Sequence, residues 1–440
     1  MKIIEKVFFS RLYMNASYLI LNSATTAIVG FVFWALVAWR FALFDVGIGS
    51  ALIAASGLVS SLANLGFGNG LVRFVPEVRE RTGDLINSAF TLTFATAAAG
   101  ALIYIIGAVV WSPKLDFMRV EYLLATGFIL TTGFSTVSGL LDSAFVAQRA
   151  CRYIFWKNAL VSVLKLPLPL FVFLRLGGFG IFVSAGLSTA VGVTVALYVF
   201  MKRAYLDYRV KPGISRDLVR IVLPFSISNY LATLFNNATG FIFPLMVLSL
   251  RGAEESAYFY MAWMIASVIS IVPTGVGTSL FAECSHCPEN LNHHVKRALV
   301  LSLALLVPAV GVVFALAPLL LHFFGHGYAS NGTAVLRWVL LANFPLAVAS
   351  FYNTVNQVRK RLVYIIVQAF ATSSLTIGLG YWLLAHVGLA GIGIAYTLAN
   401  LVVALVVAVP LWRAVREVPV TPEFDRVPVG IAEAVGVKES

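Results

Sequence analysis

The chain has 440 residues, 60% of them hydrophobic and 11% charged, with a mean hydropathy of +0.90. An average soluble domain is roughly 45–50% apolar and about 25% charged, so a water-soluble fold is excluded: too few charges remain to cover the apolar surface. Three cysteines (Cys151, Cys284, Cys287) exclude a disulfide-built scaffold, and the net charge of +12 suggests nucleic acid only until its distribution is read.

A bilayer core of about 30 Å is crossed by roughly 20 apolar residues in a helix. Windows of that size predict twelve spans, near 17–39, 48–71, 86–111, 122–147, 158–174, 179–201, 221–249, 256–281, 298–324, 334–355, 362–385 and 389–412. The runs are continuously apolar, which selects an all-α polytopic membrane protein over a β-barrel. Six of the eight tryptophans (Trp39, Trp111, Trp156, Trp338, Trp382, Trp412) fall near span ends, as an interfacial belt requires.

With the N-terminus placed in the cytoplasm, alternate loops divide the basic residues 24 inside to 6 outside, leaving Lys165 alone within a span. That bias is what the positive-inside rule expects of an even helix count with both termini cytoplasmic. The +12 therefore reflects topology in a cell membrane, and no nucleic-acid partner is expected. Lys2, Lys6 and Arg11 precede an apolar run too long for a signal peptide. The expected organisation is an N-terminal six-helix bundle over 1–201, a basic cytoplasmic linker over 202–220, a C-terminal six-helix bundle over 221–413 and a mobile cytoplasmic tail over 414–440.

The halves carry a weak parallel repeat. Asn15 and Asn22 head the first span seven residues apart, as Asn229 and Asn236 head the seventh, at an offset of 214 residues. Ala55-Ser56 precedes Gly66 by the spacing at which Ala266-Ser267 precedes Gly277, at an offset of 211. Six spans per half bring both halves into the membrane from the same side.

Polar residues within lipid face other helices or water. Asn15, Tyr18, Asn22 and Thr25 share one helical face, as do Ser226, Asn229, Thr233, Asn236 and Gly240. The second span adds Ser56, Ser60, Asn64 and Asn69, and the eighth Ser267, Ser270, Thr274 and Thr278. These faces serve either helix packing or a polar cleft shared by the halves. In the second case Asn22, Asn69, Asn229 and Asn236 are the candidate substrate contacts.

Two formal charges lie well inside the membrane. Lys165 is eight residues beyond Lys157, about 12 Å along a helix, and Asp142 sits at comparable depth on the neighbouring span. Pro167 and Pro169 break or kink the helix just after Lys165. Asp142 and Lys165 form a buried structural ion pair, or Lys165 binds an anionic substrate while Asp142 couples transport to a proton or sodium ion. Cys284, Cys287 and His293 or His294 resemble a zinc ligand set only loosely, since a second tight pair is lacking, so no metal is expected. No phosphate loop, nucleophile elbow or HExxH occurs. Neither an enzyme nor a cofactor site is expected.

Several stretches, FDVGIGSALIAASGLVSSLANLGFGNGLVRFVPE (44–77), LDSAFVAQRACRYIFWKN (141–158), GAEESAYFYMAWMIASV (252–268), TSLFAECSH (278–286) and FGHGYASNG (324–332), occur in order over residues 10–415. Together they resemble the oligosaccharide flippase (polysaccharide biosynthesis protein) family of the multidrug/oligosaccharidyl-lipid/polysaccharide exporter superfamily. Cys284 stands where that family usually has glycine. The resemblance implies two six-helix bundles around a cavity that faces alternate sides. It also implies export of a polyprenyl-linked oligosaccharide from the inner to the outer leaflet. A multidrug and toxin extrusion antiporter is the alternative, but residues 17–39 and 221–249 lack the acid such a protein is expected to carry. A membrane glycosyltransferase or polymerase is more distant, because the outer loops are short and hold few acids: Asp45, Asp116, Glu121, Glu254 and Glu255.

Reporter fusions after Arg209 and in the tail are expected to give cytoplasmic signals; an external signal at either position would overturn the topology.

Overall fold

The computed structural model describes residues 11–78, 81–171, 174–206, 208–286 and 291–416. Twelve spans are long and apolar enough to cross a membrane, six on each side of the 205–215 connection. No strand occurs among the described residues.

The first half comprises α1 (Arg11–Arg40), α2 (Leu43–Ala63), α3 (Phe67–Val78), α4 (Thr82–Trp111), α5 (Tyr122–Ala147), α6 (Arg152–Lys165), α7 (Pro167–Phe171) and α8 (Gly177–Val195), which runs on to Ala204. The second comprises α9 (Arg216–Leu250), α10 (Ala253–Ile269), α11 (Ile271–His286), α12 (Leu291–His322), α13 (His326–Leu341), α14 (Asn343–Val358), α15 (Leu362–Val387) and α16 (Leu389–Arg416). All six tryptophans expected at span ends are exposed, whereas Trp34, in mid-span, is buried.

Local chemistry explains where spans break. The window 48–71 is not one helix: α2 ends at Ala63, and α3 restarts at Phe67. Leu65 and Gly66 adopt φ of 51° and 76° between them, a left-handed turn that the Gly66 backbone accepts freely. Lys165 is the last residue of α6, and the chain restarts at Pro167, which lacks the N–H that would continue the ladder.

Close backbone approach joins the halves. A Cβ on Gly47 would overlap the Ala253 carbonyl, one on Gly57 the Phe241 ring, and those on Gly66 and Gly70 would strike Ser226. Position numbers rise on one side as they fall on the other, so α2–α3 lies antiparallel along α9 and the start of α10. At the end away from the 205–215 connection, α1 also reaches the second half. Phe31 stacks on Phe323 at 5.8 Å, Trp34 meets Tyr260 at 4.6 Å, and Trp39 Nε1 donates to the Phe323 carbonyl at 2.7 Å.

Hydrogen bonds between spans repeat in the two halves. Thr132 and Thr136 donate to Ser56 and Ser60, each 76 residues away; Ser350 and Thr354 donate to the carbonyls of Pro273 and Gly277, each 77 away. The bonds join the second span to the fourth in one half and the eighth to the tenth in the other, the corresponding pairs.

The basic connection is stitched to the start of α4. The Tyr208 hydroxyl donates to Asn87 Oδ1 at 2.8 Å, and Asn87 Nδ2 donates to the Arg209 carbonyl at 2.9 Å. Ser215 N–H donates to Ser88 Oγ at 2.9 Å, and Arg81 pairs with Asp217 at 2.5 Å. Residues 417–440, the greater part of the expected tail, lie outside the described residues.

Gly66→Ala adds both backbone strain and a clash with Ser226, and is expected to lower thermal stability by more than about 1 kcal/mol. A Cβ on Gly30 would meet nothing within 4 Å. Gly30→Ala is therefore expected to be neutral, or to stabilise the helix by up to about 1 kcal/mol, in the same melts.

Candidate functional site

Asp142 does not pair with Lys165. Its carboxylate meets Lys157 Nζ at 2.8 Å, and Lys157 is fully buried. Lys157 also donates to the Ser138 carbonyl at 2.9 Å and to Ser138 Oγ at 2.7 Å. Asn158, the next residue, donates from Nδ2 to Asn22 Oδ1 at 2.9 Å. Asn15 Oδ1 accepts the Cys151 N–H at 3.2 Å, beside the start of α6. The asparagines of the first span thus fasten α1 to α6, next to the Asp142–Lys157 pair. The sequence reading placed Lys157 in a loop because its window began at 158; α6 begins at Arg152, which carries Lys157 into the packed helix.

Lys165 stands apart from this network. Its ammonium lies 4.0 Å from the centroid of the fully buried Phe33 ring, a cation–π contact. Among the described residues no ion pair includes Lys165.

The other three candidates come together. A cavity of about 770 Å3 opens between α3, α9, α14 and α15, and Asn69, Asn229 and Asn236 all line it. Arg73, Glu77, Asn353 and Gln357 line the same space. Asn229 Nδ2 is used by the Phe225 carbonyl at 2.8 Å. Asn353 Oδ1 is buried without a hydrogen-bond partner. Amides offer donors and acceptors side by side without net charge.

Asn236 also borders a second cavity of about 400 Å3, where Tyr260, Trp263 and Tyr396 face Asn237 and Thr239. Trp263 and Tyr396 meet edge to face at 5.0 Å. A third, apolar groove of about 970 Å3 runs between α2, α4 and α9, with Leu62, Ile103, Leu245 and Met246 among its walls. Polar and apolar space therefore adjoin the same α2–α3/α9 seam.

No protein-family model matches the chain, and no curated protein does. Solved structures do. One is an inward-facing multidrug resistance MATE transporter of the MOP superfamily, at 14% identity and TM-score 0.66, covering 89% of this chain and 94% of that one. Another is the lipid II flippase MurJ in an inward closed conformation, at 13% identity and TM-score 0.69, covering 89% and 87%. The outward-facing form of a MATE transporter matches at 14% identity and TM-score 0.63, over 92% and 95%.

This chain has the fold of these proteins.

Within that fold, sequence reasoning missed Lys157, Arg73, Asn353 and Gln357. For the last two a signal was present: FYNTVNQVRK sets three amides within five residues at the end of an apolar run. Arg73 was counted only as a loop charge. Cys287 lies outside the described residues, and among the described residues no group of three His, Cys, Asp or Glu side chains could hold a metal.

Removing one member of a buried ion pair costs about 3–5 kcal/mol, while removing both is often tolerated. Asp142→Leu and Lys157→Met are each expected to lower stability strongly in detergent melts, and the double variant to recover most of the loss. The same cycle run with Lys165→Met is expected to be additive; strong coupling there would contradict the pairing.

Proposed function

We propose that the chain is an alternating-access transporter, not an enzyme, that flips a polyprenyl-linked oligosaccharide from the inner to the outer leaflet of the cell membrane. In this reading both termini are cytoplasmic. The observation that carries the reading is the amide-lined cavity at Asn69, Asn229 and Asn236, built from helices of both halves. A cavity shared by two bundles changes its accessible side when the bundles rock. Neutral amides hydrogen-bond sugar hydroxyls without requiring the cargo to carry positive charge.

Roles for the remaining candidates follow from their surroundings. Asp142 keeps partial exposure beside its buried partner, so protonation or sodium binding there would rearrange the Lys157 contacts and link an ion gradient to the packing of α5 and α6. Lys165 supplies a cation deeper in the membrane, without a carboxylate partner, for the phosphate of the cargo in transit. Asn22 contributes through α1–α6 packing, since its side chain is taken up by Asn158.

The competing reading is an antiporter for organic cations, and the aromatic walls of the smaller cavity favour it, because Trp and Tyr faces attract cations. No acid is among the residues lining that cavity, which leaves a cation there without a compensating charge.

Proteoliposomes decide between them. Short-chain polyprenyl-linked saccharides are expected to cross, and quaternary-ammonium dyes are not. A proton or sodium gradient is expected to stimulate crossing, and folded Asp142→Asn protein is expected to lose that stimulation. Dye transport without saccharide transport would replace the flippase with the antiporter.

A further inference from the structure

Resting on the flippase reading, we infer that Arg73 is the anchor for the phosphate or diphosphate of the cargo, and that Phe225 holds it in place. Arg73 lies on α3, just past the break at Asn64–Gly66, and lines the amide cavity. Its guanidinium carbon is 5.3 Å from the Phe225 ring centroid and 5.8 Å from that of Phe74. The two rings meet edge to face, 5.4 Å apart at 86°. Phe74 belongs to α3 and Phe225 to α9, so the guanidinium is steadied by both halves of the molecule.

Two features make this arrangement a site for an anion. First, the charge is unspent: among the described residues no ion pair includes Arg73, and Glu77, which lines the same cavity, does not approach within pairing distance. Second, the guanidinium carbon is held over two rings at the cavity wall, and the group carries five N–H donors in a planar fork. Such a fork is suited to phosphate oxygens, which it takes two at a time. The neighbouring acceptors and donors are the amides of Asn69, Asn229 and Gln357, and the Glu77 carboxylate can accept hydroxyls but repels phosphate. A ligand with an anionic group at one end and hydroxyls at the other fits this division.

Depth agrees with the assignment. Arg73 is at the end of the bundle that carries the basic connection, which the proposed topology sets in the cytoplasm. The phosphate of an inner-leaflet lipid starts at that level, so Arg73 meets it before Lys165 does.

The test uses the full chain in nanodiscs and two probes: a short-chain polyprenyl diphosphate saccharide, and the same saccharide on a neutral polyprenyl ether. The wild type is expected to prefer the diphosphate by about tenfold in Kd, a difference of about 1.4 kcal/mol. Arg73→Gln is expected to bind both probes alike at unchanged thermal stability, with Arg73→Lys intermediate. Phe225→Leu is expected to lose part of the preference, and Phe225→Tyr to restore it, which a general packing role would not produce. If folded Arg73→Gln keeps the full preference, Arg73 is not the anchor, and the flippase reading stands. If the wild type binds neither probe, both that reading and this assignment fall.

Discussion

Hydrocarbon offers no hydrogen-bond partner, so each polar group in a span must find one inside the protein. Most do so locally. Thr93, Ser184, Ser188 and Thr194 return their hydroxyls to the carbonyl four residues back in their own helices. Others bridge neighbouring spans, as Thr132 does to Ser56 and Thr136 to Ser60. Against this background, groups that stay unsatisfied stand out. Asn353 Oδ1 is one of them: it is buried without a hydrogen-bond partner, and it borders the cavity that the exposed Arg73 and Asn236 side chains also line. A polar group left open in lipid is costly unless water or cargo reaches it.

The two asparagine pairs illustrate how one sequence pattern serves two ends. Asn15 and Asn22 meet the backbone at Cys151 and the side chain of Asn158, and so become packing residues. Asn229 and Asn236, at the equivalent places of the second half, face the cavity. What separates them is the neighbour. α6 lies against α1 and takes up its amides, whereas α9 has a cavity on that side.

The glycine seam sets how the halves can be arranged. A Cβ at Gly47 or Gly66 would strike the backbone of Ala253 or Ser226, and one at Gly57 or Gly70 the side chains of Phe241, Ser226 and Val222, so these glycines set how closely α2–α3 lies against α9 and the start of α10. α1 divides its contacts, joining α6 near the basic end and Tyr260, Phe323 and Phe324 at the other. The connection between the halves is itself bonded to α4 through Asn87 and Ser88.

Composition alone determined that the chain crosses a membrane and does so as helices, because apolar runs of this length have no other stable state in lipid. Twelve spans, the break after Lys165 and the exposed tryptophans were legible for the same reason: each depends on residues close in sequence. Partnership was not. That Asp142 takes Lys157, that Lys165 rests on Phe33, and that Arg73 lies between Phe74 and Phe225 depend on which helix faces which and on where α6 starts. Those are properties of tertiary packing. A span of apolar residues specifies its depth through hydrophobicity, but its rotation and its neighbours come from side chains far away in the chain.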